Sequence, residues 1–125
     1  MWAREQCERG RTMEELKNTI WDLPTPAVTV DLDIAERNVK KMAQEAVQHG
    51  LAHRPHIKTH RSGYFAQMQI KAGCTGITAA KLGEAEVMAD DGINDIFIAY
   101  PIIGEDKLER LVKLHRRVKV STIVN

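Results

Sequence analysis

The sequence has few cysteines, no long apolar run and no excess of charge, and each shortage excludes a class of protein. Only two of its 125 residues, Cys7 and Cys74, are cysteines, so it is not a disulfide-stapled scaffold. Its longest nearly apolar run, residues 96–103, is interrupted by Pro101 and is far shorter than the roughly 20 residues needed to cross a bilayer. The heavily charged first 20 residues contain no apolar segment, so we expect no signal peptide and a cytoplasmic location.

The charges of the chain nearly cancel. Lys and Arg together number 18 against 17 Asp and Glu, which gives a formal net charge of +1. A chain so close to neutrality lacks the basic field with which many proteins grip nucleic acid. Hydrophobic residues make up 43% of the chain and charged residues 28%, proportions typical of a folded globular protein. We therefore expect neither nucleic acid nor a membrane as a partner.

Hydrophobic periodicity predicts a regular alternation of strands and helices. Gly50, Gly73 and Gly92 stand at the predicted helix-to-strand steps, where a left-handed backbone conformation is common. Such alternation produces a mostly parallel sheet covered by helices, because parallel neighbours need a crossover connection. The predicted strands cover residues 27–32, 75–80, 95–100 and 118–124, with a short extended segment at 52–58, and the predicted helices cover the segment between Asp33 and Gly50 and residues 62–72, 82–91 and 105–116.

The first of these helices has a predicted start signal. Asp33 is expected to be its N-cap, with Glu36 as the other half of a capping box. Upstream, the run Leu23-Pro24-Thr25-Pro26 stops any helix, because proline lacks the donor N–H and restricts the residue before it. The chain therefore divides into a polar, helical N-terminal leader, residues 1–24, and the alternating part, residues 25–125.

The predicted fold class is α/β, and two architectures fit the alternation. One is a doubly wound sheet of five strands, which a chain of about 125 residues completes. The other is about the first half of a (β/α)8 TIM-type barrel, a fold that typically needs about 250 residues. The alternation alone leaves both open.

The segment from His53 to Arg61 carries the most chemically informative residues. In an extended conformation successive side chains point to opposite faces, so Arg54, His56, Lys58 and His60 are expected to share one face. Burying four basic or titratable groups is costly unless they have anionic partners. A strongly anionic ligand would supply such partners.

Three interpretations of this segment stay open from the residues alone. The spacing of His53, His56 and His60 is similar to that of zinc ligands, although no carboxylate or cysteine is close to them in sequence. The segment also fits an exposed basic loop with no special role. The third interpretation is an anion or cofactor site around Lys58, since a lysine in a confined site can attack an aldehyde and form a Schiff base.

Three segments of the chain form a larger pattern. They are Thr25-Pro26-Ala27-Val28-Thr29-Val30-Asp31-Leu32, Arg54-Pro55-His56-Ile57-Lys58-Thr59-His60 and Leu82-Gly83-Glu84-Ala85-Glu86-Val87. In order and spacing they resemble the D-threonine aldolase / D-serine dehydratase group of alanine-racemase-type (fold type III) pyridoxal-phosphate enzymes. The resemblance implies that Lys58 forms the internal aldimine with pyridoxal 5'-phosphate, and that Arg54, His56 and His60 lie close to the cofactor.

The resemblance also implies a function. Residues 25–125 would be the N-terminal half of an alanine racemase-like barrel from a lyase that acts on D-3-hydroxy amino acids, with a small-molecule D-amino acid as substrate. Retro-aldol cleavage through Lys58, as in D-threonine aldolase, is the first expectation; dehydration, as in D-serine dehydratase, and racemisation use the same lysine. Two interpretations of another class stay open: a non-catalytic protein that binds pyridoxal phosphate, and a receiver-like signalling domain, although the predicted strand 75–80 ends without the Asp that a receiver phosphorylates.

The enzymes of that group are longer than this chain, and we expect its 125 residues to be a truncated first half of their barrel. By the resemblance, the loops that hold the cofactor phosphate and the ligands of a divalent metal lie beyond Asn125, so we assign no metal ligand within the chain. The full-length parent is compatible with a homodimer. We expect the 125-residue chain on its own to have no lyase activity.

Overall fold

The computed structural model describes residue 20 and residues 23–124, so most of the predicted leader lies outside the described residues. None of the helices in this part of the chain has the length and apolar character needed to cross a membrane. The elements, in chain order, are α1 (Leu32–Gln48), a 3₁₀ turn (Ile57–Thr59), α2 (Gly63–Lys71), β1 (Ile77–Ala79), α3 (Leu82–Asp90), β2 (Asp95–Ile98), α4 (Glu105–His115) and β3 (Lys119–Thr122).

The three strands form one parallel sheet whose spatial order, β1-β2-β3, follows the order of the sequence. Ile77 pairs with Ile96, and Asp95 pairs with Lys119. Upstream of β1, a single parallel bridge joins His56 to Thr78, so the segment before the 3₁₀ turn lies beside β1 as a further neighbour. In a barrel, each strand lies next to the strand that follows it in the sequence. In a doubly wound sheet, the order of the strands reverses at a switch point.

The hydrophobic core lies between one face of this sheet and its helices. Ile77, Ala79, Ile96 and Ile98 have no exposed surface, because alternate residues of a strand point to the same side. On the opposite side of the sheet, Thr78 and Phe97 are only half-buried, and Ser121, in register with them, is exposed. The helix-side residues pack in one cluster with Ile57, Ala66, Leu82, Ala85, Met88, Ala89, Ile93, Leu114 and Val118.

The boundaries of α2, α3 and α4 agree with the sequence prediction to within one residue at each end. The strands predicted over 75–80, 95–100 and 118–124 form as well, although each is shorter than predicted. Gly50, Gly73 and Gly92 all have positive φ angles, of 66°, 106° and 85°. These glycines therefore end their helices in the left-handed conformation that their positions predicted.

The strand predicted over residues 27–32 is wrong. Residues 27–31 form no strand, and α1 already begins at Leu32. Its N-cap is Asp31, whose Oδ1 accepts a hydrogen bond of 3.0 Å from the backbone N–H of Ile34. The N-cap predicted at Asp33 is therefore wrong by two residues. The predicted capping-box partner, Glu36, instead contacts Lys40 one turn along the helix, at 2.6 Å.

Candidate active site

Lys58 lies in the middle of the 3₁₀ turn that follows the His56–Thr78 bridge. The turn is anchored by Ile57, which is fully buried and whose carbonyl oxygen accepts hydrogen bonds from the backbone N–H groups of His60 and Arg61, at 3.1 and 2.7 Å. Lys58 itself is exposed. The buried neighbour thus fixes the backbone while the lysine amine faces the solvent at the carboxyl ends of the strands.

His56 is held against the backbone of Lys58. Its Nδ1 accepts a hydrogen bond of 3.2 Å from the Lys58 N–H, and its side chain acts as the cap of the 3₁₀ turn. A neutral imidazole that accepts at Nδ1 carries its proton at Nε2. The structure therefore brings these two predicted site residues together, with Nε2 of His56 as the atom that can donate.

His60 lies at the end of the same turn but packs inward. Its Nδ1 accepts from the Ser62 N–H at 3.1 Å, and its ring meets Phe65 edge-on with centroids 5.6 Å apart. The Nε2 atom is buried and has no hydrogen-bond partner among the described residues. Burial lowers the pKa of His60, opposed in part by Gln69, whose contact raises it. His60 therefore joins the turn to α2 as a packed, uncharged ring.

Arg54 points to the other end of the sheet. Its guanidinium forms an ion pair with Asp95, the first residue of β2, whose second carboxylate oxygen lies 3.0 Å from Lys119 Nζ. Gly76 permits this contact, since a Cβ there would collide with the Arg54 side chain and lie 2.5 Å from the Asp95 carbonyl oxygen. The structure therefore places Arg54 at the amino ends of the strands and does not bring it together with Lys58.

The three histidines of the zinc-like spacing have three separate environments. His53 Nδ1 lies 3.5 Å from the sulfur of the buried Cys74, whereas His56 and His60 each accept from a backbone N–H two residues further on. Across residue 20 and residues 23–124, no three His, Cys, Asp or Glu side chains are grouped so that they could hold a metal ion. This arrangement gives the zinc interpretation of the segment no support.

Glu84 is a residue of the site region to which the sequence analysis assigned no role. It lies in the first turn of α3, and its Oε2 accepts a 2.9 Å hydrogen bond from the Ala80 N–H. Its Oε1 lies 3.3 Å from Nε of Arg61. The signal that could have revealed it is its place in the run from Leu82 to Val87, a segment that carries part of the family resemblance.

Arg61 completes the turn with an unusual backbone conformation. Its φ of 47° is the only positive value at a non-glycine residue in the described part of the chain. A left-handed residue with a Cβ costs about 1–2 kcal/mol and persists where surrounding contacts fix it. The contacts here are its backbone bond to Ile57 and its side-chain pair with Glu84.

The chemistry available at this edge is that of an exposed primary amine, Lys58, whose backbone N–H contacts an imidazole, His56. Within the described residues, Lys58 forms no ion pair, whereas the amine of Lys119 is paired with Asp95 at the opposite edge. At the carboxyl end of β2, the Tyr100 carbonyl oxygen accepts from Thr122 Oγ1 at 2.8 Å, which ties that edge to β3. Sites in barrels of this kind are built at the carboxyl ends of the strands, where Lys58 lies.

Comparisons with known proteins agree with the fold. Residues 30–124 match the family model described as alanine racemase, N-terminal domain. The crystal structure of D-threonine aldolase from Filomicrobium marinum superposes with a TM-score of 0.83 at 38% identity, over 85% of this chain and 29% of that one. D-threo-3-hydroxyaspartate dehydratase from Delftia sp. HT23 superposes with a TM-score of 0.79 at 36% identity, over 87% of this chain and 29% of that one.

Curated relatives give the same picture at the level of sequence. The chain is 34% identical over 103 residues to 3-hydroxy-D-aspartate aldolase of Paracoccus denitrificans, a stretch that covers 82% of the chain and 27% of the relative. It is 37% identical over 101 residues to D-threonine aldolase of Arthrobacter sp., which covers 81% of the chain and 27% of the relative. The chain thus spans a little over a quarter of the length of these relatives.

The matches and the sheet order together decide between the two architectures that the alternation left open. The parallel units follow one another without a reversal, and the described residues form part of a (β/α)8 barrel, as the second architecture predicted. The chain belongs to the alanine racemase N-terminal domain family.

Proposed function

We propose that this chain is the part of a pyridoxal-phosphate-dependent lyase that carries the cofactor lysine, Lys58, and that the whole enzyme acts on D-3-hydroxy amino acids. The observation that carries the proposal is the placement of Lys58: an exposed amine at the carboxyl edge of the strands, on a turn fixed by a fully buried neighbour. The names of the relatives, D-threonine aldolase and 3-hydroxy-D-aspartate aldolase, support the substrate class.

The residues present suit an anionic aldehyde. A primary amine without an ion pair among the described residues is the group that condenses with a carbonyl. His56, whose Nδ1 contacts the Lys58 backbone N–H, has an N–H donor at Nε2 that suits an oxyanion. His60 is not counted among these donors, because its ring packs inward against Phe65 and its Nε2 is buried. The lysine amine and the His56 N–H therefore suit the aldehyde and an anionic oxygen of pyridoxal phosphate.

In this proposal each residue has a limited task. Pyridoxal phosphate, when bound, supplies an electron sink for the bond that breaks in the substrate. Lys58 would be the residue that holds the cofactor at its aldehyde, and its amine, once displaced by the substrate amine, would accept a proton from the substrate α-carbon or β-hydroxyl. His56 holds the Lys58 backbone through Nδ1 and presents its own proton at Nε2. Arg54 is left out of these tasks because its side chain pairs with Asp95 at the opposite edge.

Dehydration is the second candidate reaction. D-threo-3-hydroxyaspartate dehydratase of Delftia sp. is 37% identical over 102 residues, as similar as the aldolase of Arthrobacter sp. at 37%. The two reactions break different bonds of a 3-hydroxy amino acid: aldol cleavage breaks Cα–Cβ and releases an aldehyde, whereas dehydration removes the β-hydroxyl and yields a keto acid with ammonia. The products of the whole enzyme distinguish them.

The test of Lys58 uses the chain itself. It is incubated with pyridoxal phosphate and then with borohydride, which reduces the C=N bond formed when a lysine amine condenses with the aldehyde and releases water. We expect peptide mapping by mass spectrometry to find the label preferentially at Lys58. In the Lys58→Ala variant that preferred label is lost, whereas a Lys107→Ala variant keeps it. Equal labelling of Lys58 and the other exposed lysines of the wild-type chain would contradict the proposal.

A further inference from the structure

Glu84 connects two parts of the site that are far apart in sequence. One carboxylate oxygen accepts the N–H of Ala80, the residue that follows β1, at 2.9 Å. The other lies 3.3 Å from the guanidinium of Arg61, two residues beyond the 3₁₀ turn that carries Lys58. A single carboxylate therefore joins the end of the turn to the carboxyl edge of the neighbouring strand.

The environment of Glu84 suits this connecting position. Its side chain is 14% exposed, whereas that of Arg61 is 67% exposed, so the pair has one largely buried partner and is less screened than a fully exposed pair. The carboxylate lies in the first turn of α3, where the helix dipole favours a negative charge. Both carboxylate oxygens contact donors outside α3, the Ala80 N–H and the Arg61 guanidinium.

The conformation of the 3₁₀ turn depends on the two residues that follow it, His60 and Arg61. Ile57 closes it by accepting from the His60 and Arg61 N–H groups, and Arg61 adopts a left-handed conformation with a φ of 47°. Such a conformation is unfavourable for a residue with a Cβ and needs contacts to hold it. Glu84 contacts the side chain of Arg61, so it stabilises this conformation and with it the turn on which Lys58 lies.

We propose that Glu84 is a positioning residue for Lys58: it holds the turn closed against β1 so that the lysine amine stays directed to the carboxyl edge of the sheet. This inference rests on the proposed function, since it assigns Glu84 a task only if Lys58 condenses with the cofactor. Glu84 does not touch the reacting atoms and acts through Arg61 and Ala80.

The first test needs no cofactor. Backbone amide hydrogen exchange is followed by NMR in the wild-type chain, in Glu84→Gln and in Glu86→Gln. Glu86 is the matched control, because it lies in the same helix and forms its own ion pair with Arg110, at 2.5 Å, away from the turn. We expect the amides of His60 and Arg61 to lose roughly two- to fivefold protection in Glu84→Gln, as the loss of a partly exposed ion pair predicts, and to be unchanged in Glu86→Gln.

The second test measures the labelling of Lys58. With pyridoxal phosphate and borohydride, we expect the ratio of label at Lys58 to label at Lys107 to fall roughly three- to tenfold in Glu84→Gln and to stay constant in Glu86→Gln. Arg61→Ala removes the other partner while it keeps a Cβ, so we expect the same fall. The double variant is expected to show no further loss, because both single changes remove the same Glu84–Arg61 pair and the side-chain amide in Glu84→Gln can still accept the Ala80 N–H.

The outcomes separate the two proposals. If Lys58 in the wild-type chain is labelled no faster than Lys107, the proposed function fails and the task of Glu84 fails with it. If Lys58 is labelled preferentially in the wild type and equally so in Glu84→Gln and Arg61→Ala, the positioning role alone is overturned. A labelling loss in Glu84→Gln that Glu86→Gln reproduces would also overturn it, since general destabilisation of α3 would then explain both.

Discussion

Asp95 contacts two cations with its two carboxylate oxygens at the amino ends of the strands. Oδ1 forms the ion pair with Arg54, and Oδ2 lies 3.0 Å from Lys119 Nζ. Hydrogen bonding from Arg54 is the main cause that lowers the pKa of Asp95 below its ordinary value of 3.8, against desolvation, which raises it. The carboxylate, which belongs to β2, thus contacts both the segment before the 3₁₀ turn and β3. These two parts of the sheet share no backbone hydrogen bond with each other.

The depressed pKa of Asp95 predicts how stability depends on pH. The stabilising charge is fully present above pH 3.8 and is lost as the pH falls through the lower pKa of the folded chain. We expect Asp95→Asn to lower the free energy of unfolding by about 1–2 kcal/mol at pH 7, with the difference from the wild type shrinking under acid conditions. Urea denaturation at a series of pH values measures both.

Asp90→Asn is the matched control for Asp95→Asn. Asp90 pairs with Arg117 at 2.5 Å, but its side chain is 65% exposed against 22% for Asp95. An exposed pair contributes about 0–1 kcal/mol, so we expect a smaller loss than in Asp95→Asn at pH 7. Equal stability of Asp95→Asn and the wild type at pH 7 would show that the ion pairs at the amino ends contribute nothing.

The N-terminus of α1 allows a comparison of two aspartates within one element. Asp31 accepts the Ile34 N–H as the N-cap, and Asp33 lies in the first turn of the same helix. We expect Asp31→Ala to cost about 1 kcal/mol of stability through the lost cap, and Asp33→Ala to cost about 0.3–0.5 kcal/mol through the helix dipole. Denaturation followed by circular dichroism gives both values, and the reverse order would mean that the helix begins at the position predicted from the sequence.

The sequence predicts the helices well because their signals are local. Apolar periodicity and a terminal glycine both lie within the helix or beside it, and α2, α3 and α4 form where predicted. A strand needs a partner that the local sequence does not specify, and residues 27–31 pair with no described segment. Asp31 and Asp33 both suit an N-cap, and only the backbone of Asp31, at φ −73° and ψ 109°, selects between them.

The site was predictable in part for a similar reason. The contact of His56 with Lys58 is local, at a spacing of two residues, although it forms in a 3₁₀ turn and not on the shared extended face that the sequence predicted. The contact of Arg54 with Asp95 spans 41 residues, and that of Arg61 with Glu84 brings together two segments separated by α2 and β1. Charge complementarity across such separations has no sequence period, so the opposite placement of Arg54 and the connecting position of Glu84 emerge only from the folded chain.

At the scale of the whole molecule, the chain covers 27% of the aldolases to which it is similar. Under the proposed function, we expect the 125-residue chain to bind pyridoxal phosphate through Lys58 without cleaving D-threonine, because it matches only 27% of the length of these aldolases. The measurement is aldehyde release, with free pyridoxal phosphate and the Lys58→Ala chain as controls. Release that exceeds both controls would show that these residues suffice for the reaction.

The two ends of the sheet have different chemistry, and this division has a consequence for how such a protein changes over time. At the amino ends, Arg54 forms an ion pair with Asp95 beside Gly76. At the carboxyl ends, where barrel catalysis occurs, lie Lys58 and Glu84. Selection for heat tolerance can therefore act on the residues at the amino ends of the strands while selection for a new substrate acts on those at the carboxyl ends. A lineage that loses the proposed reaction would be expected to keep the Arg54–Asp95 ion pair long after the residues at the carboxyl ends have diverged.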